Sequence, residues 1–357
     1  MTAPRFSSAM LRQGRGKRRE VGLSLVELMI GMAIGLVLMA ALGSLYISSS
    51  KARAEFNKTS EQVENGRYAL ESIARDVEMA GFWGQADLGS SLNYIVPDPC
   101  AVAKASMGFS TAGGVTVPVG IAGLPTTAVA PACLPNIVAN SEVLTVRYAS
   151  SLSAAAVSGG DYFVQLSRCR LDAVPLVYDN VDTSFTLQTR TCSGAYTEIR
   201  KYVVRTYYLA SCDDCTKNDG IPTLKVAEFN GGATAVTSLV TGIQDVHYSY
   251  GVDVDKNGGP DCYVDDPSVD NSSGGTKQCL NGGAYSWASS AVNWANVTAV
   301  RISVLSRNLA NSVGWTDKRT YDLGRAGPSG PFDDSYKRHV YNTTARVWNT
   351  GGQREIQ

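Results

Sequence analysis

The chain has 357 residues, 44% of them apolar and 18% charged, which gives ample material for a core and excludes a wholly disordered chain. Lysine plus arginine equals aspartate plus glutamate at 32 each, so overall charge offers no footprint for nucleic acid. Only two histidines, His247 and His339, are present, which argues against imidazole-rich metal or catalytic centres.

The charge is unevenly spread. Residues 1–22 hold Arg5, Arg12, Arg15, Lys17, Arg18 and Arg19 against Glu20 alone, while the other residues are mildly acidic. Such a split predicts a basic leader joined to an acidic body. Leu23 to Ile47 follows, an apolar stretch without proline whose single charge is Glu27. At about 1.5 Å per residue this helix covers a hydrocarbon core about 30 Å thick. It is too long for a cleaved secretory signal. Basic residues ahead of it predict a cytoplasmic amino end and a non-cytoplasmic remainder.

Glu27 is not explained by an ordinary anchor. A carboxylate in hydrocarbon costs on the order of 2.5–3.5 kcal/mol, so it needs a partner. A cut after Gly22 would create one, the α-amine of Leu23. The string Gly22-Leu23-Ser24-Leu25-Val26-Glu27, between a basic leader and an apolar helix, resembles the type III signal of type IV pilins. The resemblance implies cleavage between Gly22 and Leu23 by prepilin peptidase, methylation of the new Leu23 amine, and a role for Glu27 in neutralising a neighbouring subunit's amino terminus during assembly. Leu23 departs from the usual phenylalanine but keeps the position apolar. Gly31-Met32-Ala33-Ile34-Gly35 is a G-x-x-x-G step, which allows close helix approach but is common in membrane helices for no specific reason.

Beyond the span, Phe56, Thr59, Val63, Gly66, Leu70, Ile73, Val77 and Ala80 recur at intervals of three and four among charged residues. This pattern predicts an amphipathic continuation packed on a sheet, ended by Gly81. Its short length and the small contacts at Thr59 and Gly66 disfavour a coiled coil. From Gly81 onward, turn-residue clusters interrupt short β-rich runs at 143–148, 162–166, 185–189, 202–209, 223–229, 246–251, 297–305 and 340–348, which predicts antiparallel β structure. Residues 101–130, rich in Ala, Gly, Val and Thr, read as irregular surface or weak strands. The fold class is therefore α+β. A leader (1–22), a helix (23–80, with 23–47 membrane-spanning) and a β-rich head (81–357) make up the chain.

Eight cysteines, all beyond the apolar helix, fit an oxidising compartment. Neighbouring positions suggest Cys100–Cys133, Cys169–Cys192, Cys212–Cys215 and Cys262–Cys279, one of 105 arrangements that eight cysteines allow. Cys212-Asp213-Asp214-Cys215 has redox or zinc spacing. Its two aspartates oppose thiolate formation, and zinc would lack two further ligands, so a structural bridge is the expected use.

The body resembles the PilW family of minor pilins. Asn65-Gly66-Arg67-Tyr68-Ala69-Leu70 with Ala80-Gly81-Phe82, Tyr207-Tyr208-Leu209 with Pro222-Thr223-Leu224, Gly242-Ile243-Gln244-Asp245-Val246 with Tyr250-Gly251-Val252-Asp253, and Ala299-Val300-Arg301-Ile302 carry the likeness in order. It implies a minor pilin that takes part in pilus priming or a tip complex. Its partners would be other minor pilins, the major pilin, the inner-membrane assembly platform, prepilin peptidase and a large tip adhesin. It also implies a single-pass protein of a Gram-negative inner membrane, with a periplasmic head that later enters the extracellular pilus. A type II secretion pseudopilin shares every amino-terminal feature.

One loop suggests a ligand. Asp253, Asp255, Asn257 and Asp261 stand at positions 1, 3, 5 and 9, with Gly258 at 6, as in the early part of a calcium loop. The Gly259 carbonyl and Asp265 could complete the shell, although position 12 is Val264 in place of the usual glutamate. The competing reading is a solvated acidic turn. The ligand reading would make the chain a membrane-anchored calcium- or ligand-binding module. No nucleophile elbow, P-loop, dinucleotide glycine pattern or H-E-x-x-H occurs, so no enzyme and no cofactor other than calcium are expected.

Overall fold

A computed structural model of the chain describes residues 22–86, 88, 91–125, 129–272, 278–279 and 285–354. Apart from Gly22, the leader expected at 1–22 lies outside these residues. The fold is α+β, as the sequence predicts. The chain divides into two compact units, Met1–Phe56 and Asn57–Gln357.

Helix α1 spans Leu25–Met79. It begins with a reciprocal cap: the Ser24 N–H donates to Glu27 Oε2 at 2.9 Å, and the Glu27 N–H donates to Ser24 Oγ at 3.2 Å. This is the Ser-x-x-Glu capping box, which satisfies two of the donors a helix start leaves open. No side chain of residues 25–56 is buried. An apolar window of this helix has mean hydropathy 2.4 and is long enough to cross a membrane.

In the second unit, α1 buries Gln62, Gly66, Ala69, Leu70, Ile73, Asp76 and Val77. The expected stripe is therefore corrected at two points. Phe56 and Thr59 are exposed, and two polar residues, Gln62 and Asp76, join the buried face. Gly81 ends the helix with φ +73°, a left-handed conformation that glycine adopts without a Cβ penalty. Asn349 Nδ2 donates to the Met79 and Ala80 carbonyls, both at 3.2 Å, so a residue 270 positions away completes the carboxyl-terminal cap.

Seven strands form the larger sheet: β3 (Ile121–Leu124), β4 (Val143–Ala154), β5 (Phe163–Leu166), β6 (Leu176–Asp179), β7 (Ile199–Ala210), β8 (Thr223–Asn230) and β9 (Ala233–Thr241). Every pair is antiparallel. Strand β4 runs along one edge of β7, while β5 and β8 share the other, at Ile199–Lys201 and Arg205–Ala210 respectively. A second antiparallel sheet has the order β11-β10-β12-β13, from β10 (Ile243–Val252), β11 (Cys262–Val264), β12 (Val297–Arg307) and β13 (Arg338–Arg346). Two short strands, β1 (Asn93–Ile95) and β2 (Thr116–Pro118), pair in parallel. Helices α2 (Ser290–Ala295) and α3 (Trp348–Arg354) complete the elements that matter below.

The run at 185–189 is not a strand. Gln165 does the work of a partner strand there: its Oε1 accepts the Leu187 N–H at 3.0 Å, and its Nε2 donates to the Leu187 and Thr197 carbonyls. A side chain thus satisfies backbone groups that would otherwise demand a ladder. Strand β9, absent from the sequence reading, is mostly exposed and lacks the alternation that marks a half-buried strand.

The main core joins α1 to both sheets, through Ile73, Val77 and Ala80 with Leu144, Val146, Leu209, Val246, Ile302 and Val304 among others. The opposite face of β7 carries a second core, in which Tyr202 and Val204 meet Trp83, Tyr178 and Phe229. Trp83 and Phe109 pack edge to face at 5.2 Å, as the aromatic quadrupole favours. Residues 202–204 alternate between the two cores because successive side chains of a strand point to opposite faces.

Candidate functional site

Gly22 and Leu23 lie immediately ahead of α1, and Leu23 is exposed. Within the uncut chain the Glu27 carboxylate caps its own helix by accepting the Ser24 N–H. The large apolar residues from Leu25 to Ile47 are exposed around the whole helix circumference, and at Gly31 and Gly35 an added Cβ would meet nothing within 4 Å. A helix apolar on every side requires lipid or other helices around it. Sequence reasoning named Glu27 but missed its tie to Ser24, although the Ser-x-x-Glu signature was visible.

In the second unit α1 is held by polar contacts as well as by packing. Asp76 receives three side chains of the large sheet. Tyr148 Oη donates to Oδ1 at 2.9 Å, Tyr207 Oη to Oδ2 at 2.7 Å, and Arg205 Nη1 to Oδ1 at 3.1 Å. Arg205 Nε also donates to Glu228 Oε2 at 2.9 Å, which extends the network to β8. Burial, and then the Asp76 charge, push both phenols far above the ordinary tyrosine value, so both remain donors. Fourteen residues earlier in α1, Gln62 Nε2 donates to the Ser306 carbonyl at 2.7 Å and the Lys337 carbonyl at 3.0 Å. Asn65 Nδ2 donates to the Thr241 carbonyl at 3.2 Å. At Gly66 the Tyr341 ring lies so close that a Cβ would overlap it. The Asn65-Gly66 pair thus brings the helix backbone directly onto the end of β9 and the ring of β13. Asp76 is one of the charged residues that lie between the apolar positions of the stripe, yet it falls three residues after Ile73 and one before Val77, within the buried arc.

The acidic loop after β10 gathers one carboxylate oxygen each from Asp253, Asp255 and Asp261 within 4.8 Å of one another. Asp253 is fully buried, and its oxygens already have donors. Asn257 N–H reaches Oδ1 at 3.1 Å, Gly258 N–H reaches Oδ2 at 3.1 Å, and Arg354 Nη1 reaches Oδ2 at 2.8 Å. Asp261 Oδ2 accepts the Val254 N–H, and Asn257 Oδ1 accepts the Gly259 N–H. Arg354 of α3 therefore places a guanidinium where a bound cation would share the Asp253 carboxylate. Asp265 lies outside this group; it faces His247 Nε2 at 3.5 Å and accepts from Gln278 Nε2 at 2.9 Å. Donors within the loop and the Arg354 guanidinium thus already occupy the Asp253 carboxylate.

His247 on β10 is buried. Its Nδ1 is 2.8 Å from Glu142 Oε1, and Glu142 Oε2 accepts the Tyr248 N–H. Burial lowers the imidazole pKa, but hydrogen bonds and charge from Asp265 and Glu142 outweigh it, and the value is raised to about 9. The imidazolium ties Glu142, just before β4, to the smaller sheet. His339 lies on β13 beside Tyr341, with ring centroids 4.8 Å apart.

Four disulfides join Cys100 to Cys133, Cys169 to Cys192, Cys212 to Cys215 and Cys262 to Cys279. These are the sequence-neighbour pairs, and each closes a loop of the second unit.

Two family models match the chain. Residues 17–43 match the prokaryotic N-terminal methylation motif, and residues 206–349 match the type IV pilus-assembly protein W family. The second range runs from β7 to α3 and contains the whole smaller sheet together with the hairpin of β8 and β9. No curated protein and no solved structure matches the chain. A methylation motif at the start of a membrane-capable helix, followed by a β-rich head similar over residues 206–349 to the PilW family, marks the chain as a type IV pilus-related pilin.

Proposed function

We propose that this chain is the precursor of a minor pilin that acts in priming or capping a type IV pilus, by contact and without catalytic turnover. Prepilin peptidase would remove residues 1–22 on the cytoplasmic side of the inner membrane, and the Leu23 amine would be methylated. Residues 23–47 would hold the protein in the membrane as a single span with the head in the periplasm. In assembly the Glu27 carboxylate would leave Ser24 and neutralise the amino terminus of a neighbouring pilin. Other minor pilins, the major pilin, the assembly platform and a large tip adhesin are the partners this reading assigns.

The observation that carries the proposal is the isolation of Glu27. It is the one charge in a 25-residue apolar segment, five positions after a glycine that follows a basic leader. Mass spectrometry of the mature protein should find Leu23 as the first residue, carrying a methyl group; a chain beginning at Met1 would overturn the reading. Glu27→Ala should still be cleaved yet enter pili poorly. Wild-type incorporation of that variant would remove the assembly role. Co-purification with pilus components supports the pilus assignment, whereas co-purification with secretion components transfers the protein to a pseudopilus.

A further inference from the structure

We propose that the Cys212–Cys215 disulfide is a thiol–disulfide exchange site for a dithiol, with Lys225 holding the Cys215 thiolate that reduction creates. The inference is independent of the pilus assignment. The pair sits in the turn after β7, with Cys212 buried and Cys215 partly exposed. Lys225 comes from the facing strand β8 and is itself only 8% exposed. Its Nζ donates to the Asp213 carbonyl at 2.9 Å and points at Cys215 Sγ at 3.5 Å.

Two of the loop's three acidic residues, Asp214 and Asp219, are engaged away from this cation. Asp214 pairs with Lys217 at 2.8 Å and accepts from Thr216, and Asp219 accepts the Asp213, Asp214 and Ile221 N–H groups. A disulfide sulfur is a weak acceptor, whereas a thiolate beside an ammonium forms a charge-assisted hydrogen bond. A nearly buried ammonium held by a carbonyl and a neutral sulfur therefore gains its missing anion when the bond opens. The sulfurs of Cys100 and Cys169 have a different environment, accepting the backbone N–H groups of Cys133 and Leu171. The Cys212–Cys215 bridge also spans a sequence separation of 3, against 17 to 33 for the others, so opening it returns little freedom to the chain.

The exchange balances as follows in atoms and electrons. A thiolate of the dithiol attacks the accessible Cys215 sulfur, and the disulfide breaks with Cys212 leaving and taking up one proton. The second thiolate of the dithiol then attacks its own sulfur in the mixed disulfide, forming the oxidised reagent and expelling Cys215 as a thiolate against Lys225. Two electrons pass to the protein, and of the two protons lost by the dithiol one stays on Cys212 while the other enters solvent.

The full chain in detergent would be equilibrated with mixtures of reduced and oxidised dithiothreitol, trapped by alkylation, and mapped by peptide mass spectrometry. Cys212 and Cys215 should be labelled at a reduced-to-oxidised ratio at least about tenfold below that opening the other three bridges, with circular dichroism unchanged at that point. Because one proton is released, the wild-type equilibrium should move toward reduction by up to about tenfold per pH unit between pH 7 and 8. Lys225→Met should flatten that slope and require about tenfold more reductant, and Lys225→Arg should keep the wild-type slope. Opening of all four bridges together, or an unchanged slope in a folded Lys225→Met protein, would overturn the proposal. Should Lys225→Met fail to fold, the wild-type slope decides alone: a flat one refutes the thiolate.

Discussion

Helix α1 is one continuous element that obeys two sets of rules. From Leu25 to Phe56 it is apolar around its circumference and then charged, and none of its side chains is buried. From Asn57 to Met79 it has a single buried arc in which polar residues stand among apolar ones and each reaches a named partner. Backbone geometry is the same in both halves; only the solvent each half is built for differs. The first half carries no specificity within the chain and leaves its packing to surroundings. The second half is fixed in register, because a buried carboxylate or amide placed one residue away would lose its partners and be costly.

The sharpest way to break this comparison is at Asp76. Asp76→Ala should destabilise the head by about 3 kcal/mol, since it leaves two buried phenols without an acceptor and leaves Arg205 with Glu228 as its remaining carboxylate. Denaturant unfolding of the mature protein measures this, and cleavage after Gly22 should be unaffected. Asp76→Asn, which keeps an acceptor oxygen, should lose less. The fragment 81–357, lacking the entire buried arc of α1, should not fold stably.

Glycines provide the next contrast. Gly66→Ala should cost about 1–3 kcal/mol, because the new methyl group overlaps the Tyr341 ring. Gly31→Ala and Gly35→Ala should leave head stability unchanged, for an added Cβ there meets nothing. Tyr341→Ala combined with Gly66→Ala should recover part of the loss, and a thermal-melt double-mutant cycle would show it.

A third test separates the halves by pH. His247 has a folded pKa of about 9, above the ordinary value near 6.5. Its contribution is therefore complete below about pH 6.5 and is lost as pH rises through 9, up to about 3 kcal/mol. Unfolding free energies measured from pH 6 to 9.5 should fall across that window, and His247→Gln should flatten the curve. Calcium should have the smallest effect. With Arg354 on Asp253, a site of millimolar affinity at 1 mM calcium would add no more than about 0.4 kcal/mol. A larger rise in melting temperature, absent in Asp253→Ala, would show the ion displacing the guanidinium.

The sequence by itself determined whatever depends on neighbours along the chain. The leader's charge, the length of the apolar run, the isolation of Glu27, the helix stop at Gly81 and the strands with strong β-branched or alternating patterns are all local signals. The tertiary structure decided what depends on residues far apart. Gln165 replacing a strand at 185–189, Asn349 capping α1, Asp76 facing inward and Lys225 standing beside Cys215 each join segments that no local pattern relates. A polar side chain looks the same in sequence whether it faces water or a buried partner. Its role is fixed only when folding removes the water and leaves the partner as the sole source of hydrogen bonds and charge.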